Sequence, residues 1–295
     1  MLPFLSIFGL KIPMFGLMML AGMIAAFGLL WFTRRIVRFS EDTLLSCALW
    51  AIISGFVGSK ILYWIVDMKQ FLVDPMFFIK NIREGFVFYG ALIGGVLGVF
   101  FYSFRKKQPF FAFMDLFAPS LTLAHAFGRI GCFCAGCCYG SATHSFLGVR
   151  FPVGSLAPSN VSLLPTQLLE AAFLFLLTAS LVWLLKKRRT FGTVTGWYLI
   201  LYGVWRFFIE FYRGDDRGAV GLLSTSQFIA IFMMAAGAVL LILISRGIVS
   251  RGTLPEEDAR ALADESPEEC TDSSLSAEEA SSTALPDPTE NPPEE

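Results

Sequence analysis

His125 to Gly140 reads H-A-F-G-R-I-G-C-F-C-A-G-C-C-Y-G. Sixteen residues hold one histidine, one arginine, four cysteines and four glycines, and long apolar segments flank them on both sides. Lipid does not tolerate irregular, glycine-rich backbone or an unpaired arginine unless they face a cavity or a protein interface. This stretch therefore sets the reading of the whole chain: apolar helices surrounding one polar site, with the chemistry expected here.

The surroundings agree. The 295 residues are 55% hydrophobic and only 16% charged, with a mean hydropathy of +0.63. That composition excludes an ordinary soluble domain and indicates a polytopic membrane protein. Seven apolar runs reach the length of about 20 residues that a span requires: Pro13–Phe32, Leu44–Val66, Phe86–Phe104, Phe110–Arg129, Thr166–Leu185, Val194–Phe211 and Leu222–Ser245. The expected fold is all-α, with seven transmembrane helices. The first run is long enough to span and is followed by Arg34, Arg35 and Arg38, so it is read as a span rather than a cleaved signal peptide.

Basic residues set the orientation. They cluster after the first run (Arg34, Arg35, Arg38), the third (Arg105, Lys106, Lys107), the fifth (Lys186, Lys187, Arg188, Arg189) and the seventh (Arg246, Arg251). Alternate loops lie on one side, and the positive-inside rule makes that side cytoplasmic. The N-terminus is then outside and the C-terminus inside. Residues 1–251 form the membrane domain. Residues 252–295 hold fourteen acidic residues and one basic residue, Arg260, which leaves the membrane domain with a net charge of +12. The tail's Glu, Ser, Pro and Ala composition predicts a disordered cytoplasmic segment with no catalytic part.

In this topology the polar groups converge on the outer half. Arg129 ends an apolar run, and its planar fork suits a phosphate, although snorkelling to the interface would also explain it. His125 is four residues earlier, on the same helical face, where a packing role is the plainer reading. Arg206 and Glu210 are also four apart, with Arg213 three beyond, either as a self-neutralising pair or as a cationic pocket for a lipid headgroup. Glu170 is a further intramembrane ionisable group. Gly90 and Gly94 form a G-x-x-x-G, which chiefly favours close helix packing. The outer loops include residues 67–85, the Arg213–Gly218 stretch R-G-D-D-R-G, and the Gly-, Ser- and Pro-rich Tyr139–Leu164, whose length suits a lid or a disordered loop. Cys47 reads as a small buried apolar residue and Cys270 as incidental. The cluster Cys132, Cys134, Cys137, Cys138 leaves two readings open: a zinc or iron–sulfur site, or a thiol–disulfide centre at the C-x-x-C of Cys134 and Cys137. Two histidines in the chain give little to complete a catalytic metal site, and no metal or other cofactor is expected.

The pattern G-R-I-G-C-F-C-A-G-C-C-Y-G resembles the signature of the prolipoprotein diacylglyceryl transferase family, G-R-x-G-N-F-x-N-G-E-x-x-G. M-F-G-L-M at Met14–Met18, F-Y-G-A-L-I-G at Phe88–Gly94, P-T-Q-L-L-E at Pro165–Glu170 and R-F-F-I-E-F-Y-R at Arg206–Arg213 resemble further family motifs, in the family's order. The resemblance implies a bacterial inner-membrane enzyme with its site toward the extracytoplasmic face. It implies transfer of a diacylglyceryl group from phosphatidylglycerol to the lipobox cysteine of a prolipoprotein, with release of glycerol 1-phosphate. The implied partners are that lipid, prolipoprotein signal peptides and the bilayer, and no nucleic acid. Arg129 and Arg206 would be phosphate ligands, Glu210 would position Arg206, and Gly140 would allow close backbone approach. Phe15, Tyr89, Glu170, Arg213 and His125 complete the expected substrate-binding set.

The chain departs from the family pattern where the family carries polar groups. Cys132 replaces Asn, Cys137 replaces Glu, Tyr89 replaces His, Phe15 replaces Tyr, and Leu164 replaces the His before the P-(S/T)-Q motif. Cys132 and Cys137 are accordingly the catalytic candidates among the cysteines, either as a thiolate base whose pKa Arg129 lowers or as small polar packing beside the headgroup. A paralogous lipid transferase with another acceptor, and a thiol-redox or metal-binding protein on the same scaffold, are the alternatives. Reporter fusions test the topology: those after Lys187 are expected to read cytoplasmic and those after Gly154 extracytoplasmic, and the reverse pattern would overturn an outward-facing site.

Overall fold

In the computed structural model, the structure describes residues 4–249 apart from 8–9, 74–75, 77–84, 189, 215–218 and 221–222. The acidic tail, most of the loop between the second and third runs, and the last four residues of R-G-D-D-R-G lie outside the described residues.

The apolar runs are helices: α1 Met14–Val37, α2 Glu41–Val66, the short α3 Met68–Val73, α4 Phe88–Lys106, α5 Phe110–Ala135, α6 Thr166–Lys187, α7 Thr193–Ile209 and α8 Thr225–Ser245. Among the described residues, six of them (α1, α2, α4, α5, α6 and α8) are long and apolar enough to cross a membrane. The sixth expected span is the 17-residue α7. It starts after Gly192, which is left-handed at φ 90°, and passes into a 3-10 turn, Glu210–Tyr212. Large apolar side chains such as Ile24, Phe32, Ile52, Phe56, Leu176 and Phe232 are exposed on the outer faces, as lipid contact requires.

The fourth span is longer than its apolar run. Arg129 does not end α5: the helix continues to Ala135, and Gly136 at φ 76° terminates it with its N–H bonded back to Cys132 and Phe133 carbonyls. Glycine carries this left-handed cap without a Cβ clash. Arg129, Cys132 and Cys134 are therefore helical residues, and only Cys137 and Cys138 belong to the loop.

Four pairings build the bundle: α1 along α5, α2 along α4, α6 against α5, and α7 against α8. The G-x-x-x-G of α4 works as expected. A Cβ at Gly58 on α2 would sit 2.8 Å from the Gly94 Cα, so the two backbones meet without side chains between them. Short antiparallel pieces decorate the ends: β1 Phe4–Ile7 with β2 Leu10–Pro13, β3 Val149–Arg150 with β4 Ser162–Leu163, and β5 Ala219–Val220 with β6 Leu223–Ser224. The loop 139–164 is thus a structured cap. Phe151, Ala157 and Leu163 form its small core, with Phe133 and Tyr139 packed against it.

Asp115, which the sequence did not single out, fastens the end of the bundle away from the cysteines. Its fully buried carboxylate accepts from the Gly192 N–H at 2.8 Å, the Thr195 N–H at 2.8 Å, the Thr195 hydroxyl at 2.7 Å and the Arg188 guanidinium at 2.6 Å. One side chain on α5 satisfies the orphan amides at the start of α7 and neutralises the end of α6. Removing it strands a buried cation, a loss of about 3–5 kcal/mol. Asp115→Ala is therefore expected to lower the melting temperature of detergent-solubilised protein sharply. An unchanged melting temperature would contradict the clamp.

Candidate active site

The opposite end collects the C-terminal half of α5, the N-terminus of α6, the C-terminus of α7 and the N-terminus of α8. Each contributes polar side chains because the connections at this end bring those termini together. Gly140 N–H donates to the Leu164 carbonyl at 2.9 Å, and Gly140 bridges in antiparallel fashion to Arg213. A Cβ at Gly140 would lie 2.6 Å from the Leu164 carbonyl oxygen. The glycine therefore lets three segments close on one another, and it is packed against protein backbone.

Arg129 and Glu170 tie α5 to α6. Arg129 Nη2 lies 3.0 Å from Glu170 Oε1, with side chains 11% and 0% exposed. The contact is ionic rather than a directed hydrogen bond, since both Glu170 oxygens lack hydrogen-bond partners among the described residues. Arg129 Nε–H donates to His125 Nε2 at 3.2 Å. That bond makes the imidazole an acceptor, hence neutral with its proton on Nδ1. The ring of Tyr202 meets His125 edge-on at 5.5 Å.

A second charged group sits beside the first. Arg206 Nη2 lies 2.7 Å from Glu210 Oε2 and donates to the Ser226 hydroxyl at 2.7 Å. Arg213 Nε lies 3.9 Å from the same Glu210 oxygen. Arg206 Nη1 is buried and has no hydrogen-bond acceptor among the described residues. A buried guanidinium N–H without an acceptor is costly. It leaves a donor for an anionic ligand. Three arginines and two glutamates thus face one region, a net charge of +1 within the apolar bundle.

The remaining expected residues border this region unequally. Phe15 and Met18 of α1 pack on Gly131, where a Cβ would approach the Phe15 ring and the Met18 Cβ to 3.2 Å. Tyr89, at the start of α4, is 44% exposed and lies within electrostatic range of Tyr202. Tyr202, Ser226 and Gln167 were not singled out in the sequence. Gln167 follows the P-T motif and donates through Nε2 to the Cys137 carbonyl at 2.8 Å, while the Thr166 hydroxyl donates to the Cys138 carbonyl at 3.1 Å. Neutral polar residues inside apolar runs give little signal until their partners are seen.

The cysteines rearrange the sequence picture. Sulfurs of Cys132, Cys137 and Cys138 lie within 4.8 Å of one another. Cys134, the first member of the C-x-x-C, is not part of this group. None of the four is in a disulfide. Cys137, in the loop, does not have the lowered pKa expected of a base. Its hydrogen bond with Cys132 favours the thiolate, but its bond with Cys138 and its burial outweigh that and hold the thiol above the ordinary range.

Known proteins match almost the whole membrane domain. The family model described as prolipoprotein diacylglyceryl transferase matches residues 3–243. A Clostridium perfringens phosphatidylglycerol–prolipoprotein diacylglyceryl transferase 2 is 46% identical over 236 residues, covering 80% of this chain and 92% of the relative. A Clostridium tetani phosphatidylglycerol–prolipoprotein diacylglyceryl transferase is 44% identical over 232 residues, covering 79% and 93%. One from Dehalococcoides mccartyi is 34% identical over 232 residues, covering 78% and 88%.

Proposed function

The chain belongs to the prolipoprotein diacylglyceryl transferase family, and from that membership together with the site geometry we propose that it transfers a diacylglyceryl group from phosphatidylglycerol to the lipobox cysteine thiol of prolipoproteins. It is a membrane transferase of lipoprotein maturation. The acceptor sulfur attacks the glyceryl carbon that carries the phosphate. The C–O bond breaks, and glycerol 1-phosphate leaves with the bonding electrons.

One observation carries the mechanism: Arg206 presents a buried Nη1 with no acceptor among the described residues, beside an Arg129 already held by Glu170. Negative charge grows on the leaving phosphate oxygen in the transition state. Cations fixed in a low-dielectric site stabilise that charge more than they stabilise the ground state. Glu210 holds Arg206 in place through its 2.7 Å contact. Glu170 does the same for Arg129. Arg213 adds a third positive charge, and Gly140 fixes its backbone. Phe15, Tyr89 and His125 border the same region and bind the substrate's glyceryl and acyl portions.

The chain crosses the membrane seven times, with α7 and its 3-10 extension as the sixth span. The site faces outward and the acidic tail lies in the cytoplasm. Basic residues at the α1, α4 and α6 C-termini support this orientation. An outward-facing site also suits an acceptor already translocated through its signal peptide.

Cells depleted of their own diacylglyceryl transferase test the reading. The chain is expected to restore growth. Arg129→Lys and Arg206→Lys are each expected to slow transfer at least about tenfold, or roughly 1.4 kcal/mol in barrier, because an ammonium cannot reproduce a two-pronged contact. Full rescue by both lysine variants would remove the phosphate site from the mechanism.

A further inference from the structure

The transfer reaction needs the acceptor sulfur as a thiolate, and the charged groups above do not supply one. His125 accepts from Arg129, and both glutamates are committed to arginines. The three gathered thiols are not used by the mechanism as it stands. Two of them, Cys132 and Cys137, stand where the family pattern has Asn and Glu.

Their geometry is that of a ligand set. Cys132 projects from the last turns of α5. Gly136 then turns the chain at φ 76°, and Cys138 adopts φ 61°, a left-handed conformation uncommon for a residue with a side chain. The back of this turn is fixed by α6: Gln167 holds the Cys137 carbonyl, Thr166 holds the Cys138 carbonyl, and the Cys137 N–H returns to the Cys132 carbonyl at 3.1 Å. The three sulfurs converge within 4.8 Å. Zinc–sulfur bonds of about 2.3 Å in a tetrahedron set sulfur–sulfur separations of about 3.8 Å. A modest closing of side-chain torsions reaches that value. All three residues are partly exposed, so an ion can enter.

Ligand type and charge together point to a soft divalent ion. A zinc trithiolate carries one negative charge. The adjoining arginines and glutamates sum to one positive charge, and Cys132 and Cys138 lie within electrostatic range of Arg129. Before the acceptor binds, site and complex together are neutral, which is what a low-dielectric setting favours.

We propose that Cys132, Cys137 and Cys138 hold a divalent thiophilic ion, zinc, and that the open fourth position takes the acceptor thiol. The second half rests on the transferase reading; the first does not. Each cysteine releases its proton to solvent as its sulfur–zinc bond forms. The acceptor S–H likewise loses its proton to solvent on coordination, since a metal-bound thiol is deprotonated at neutral pH. Its sulfur then forms the bond to the glyceryl carbon, the carbon–oxygen bond to phosphate breaks, and the neutral thioether leaves the metal. No oxidant or reductant takes part. One short cysteine cluster and two histidines offer little sign of a metal centre in the sequence; the structure gathers Cys132, Cys137 and Cys138 rather than the C-x-x-C pair of Cys134 and Cys137.

The test uses the full chain, reduced and solubilised in detergent. Equilibration with Zn2+ followed by desalting is expected to leave about one zinc per chain. Cys132→Ser, Cys137→Ser and Cys138→Ser should each retain at least about tenfold less, and Cys134→Ser as much as the parent. Co2+ in the unmodified protein should give thiolate-to-cobalt charge-transfer bands, which requires no variant to fold. A lipobox peptide with its cysteine should shift those bands, and the serine version should not. No zinc and no cobalt–thiolate band, or an equal loss in Cys134→Ser, would overturn the site. A metal spectrum unmoved by the cysteine peptide would overturn the role of the fourth position, as would full transfer by zinc-free protein. Cobalt bound and shifted by the peptide, in a protein that transfers nothing from phosphatidylglycerol, would uphold the site and remove the transferase reading instead.

Discussion

The pairing of Arg129 with Glu170 is the contact on which the rest of the site depends. An arginine inside an apolar bundle must be neutralised, and the glutamate that does so comes from the neighbouring helix and is fully buried. The pair therefore fixes the relative position of α5 and α6. That fixes the turn between them, because the carbonyls of Cys137 and Cys138 are held by the first residues of α6. The same turn places Gly140 against Leu164 and brings in Arg213. Breaking the pair would cost more than a surface ion pair, because either partner alone would be an uncompensated charge in a low dielectric. The cation proposed to bind the phosphate and the scaffold's geometry thus share one interaction.

The two ends of the bundle use charge differently. At the end carrying the basic clusters, Asp115 is saturated: four donors converge on two oxygens. Nothing is left over for a ligand, and the group acts as a fastener. At the other end, Arg206 has its carboxylate and its hydroxyl but a further buried N–H with no acceptor among the described residues. Incomplete satisfaction is what distinguishes a binding region from a structural clamp.

The helical, membrane-spanning character was legible because apolar run length alone decides it, and the basic clusters after alternate runs suggested which ends group together. The charges that the structure brings together at the candidate site were legible for the same reason: Arg129, Glu170, Arg206 and Glu210 are charges where apolar residues are the rule. Other features depended on tertiary partners. Asp115 is a single acid near the start of a run, and nothing local shows that Arg188, Gly192 and Thr195 reach it. The end of α5 was read too early, since Arg129 looks like a boundary while Gly136 is the actual stop. That error also obscured the cysteines. Once Cys132 and Cys134 are both helical, about 200° separates them around the axis, so they face different directions. Cys132 then meets Cys137 and Cys138 across the turn, and the C-x-x-C spacing loses its meaning. Loop 139–164 has the composition of a mobile connection, yet three apolar residues, Phe151, Ala157 and Leu163, are enough to give it a core.

Purified protein mixed with phosphatidylglycerol and a lipobox peptide provides the most direct test of the central claim. Product mass and released phosphate ester are read together. The account predicts a peptide carrying a diacylglyceryl thioether and one glycerol 1-phosphate released for each peptide modified, with no product from the serine version. Unmodified peptide, or modification without matching release of the phosphate ester, would contradict it.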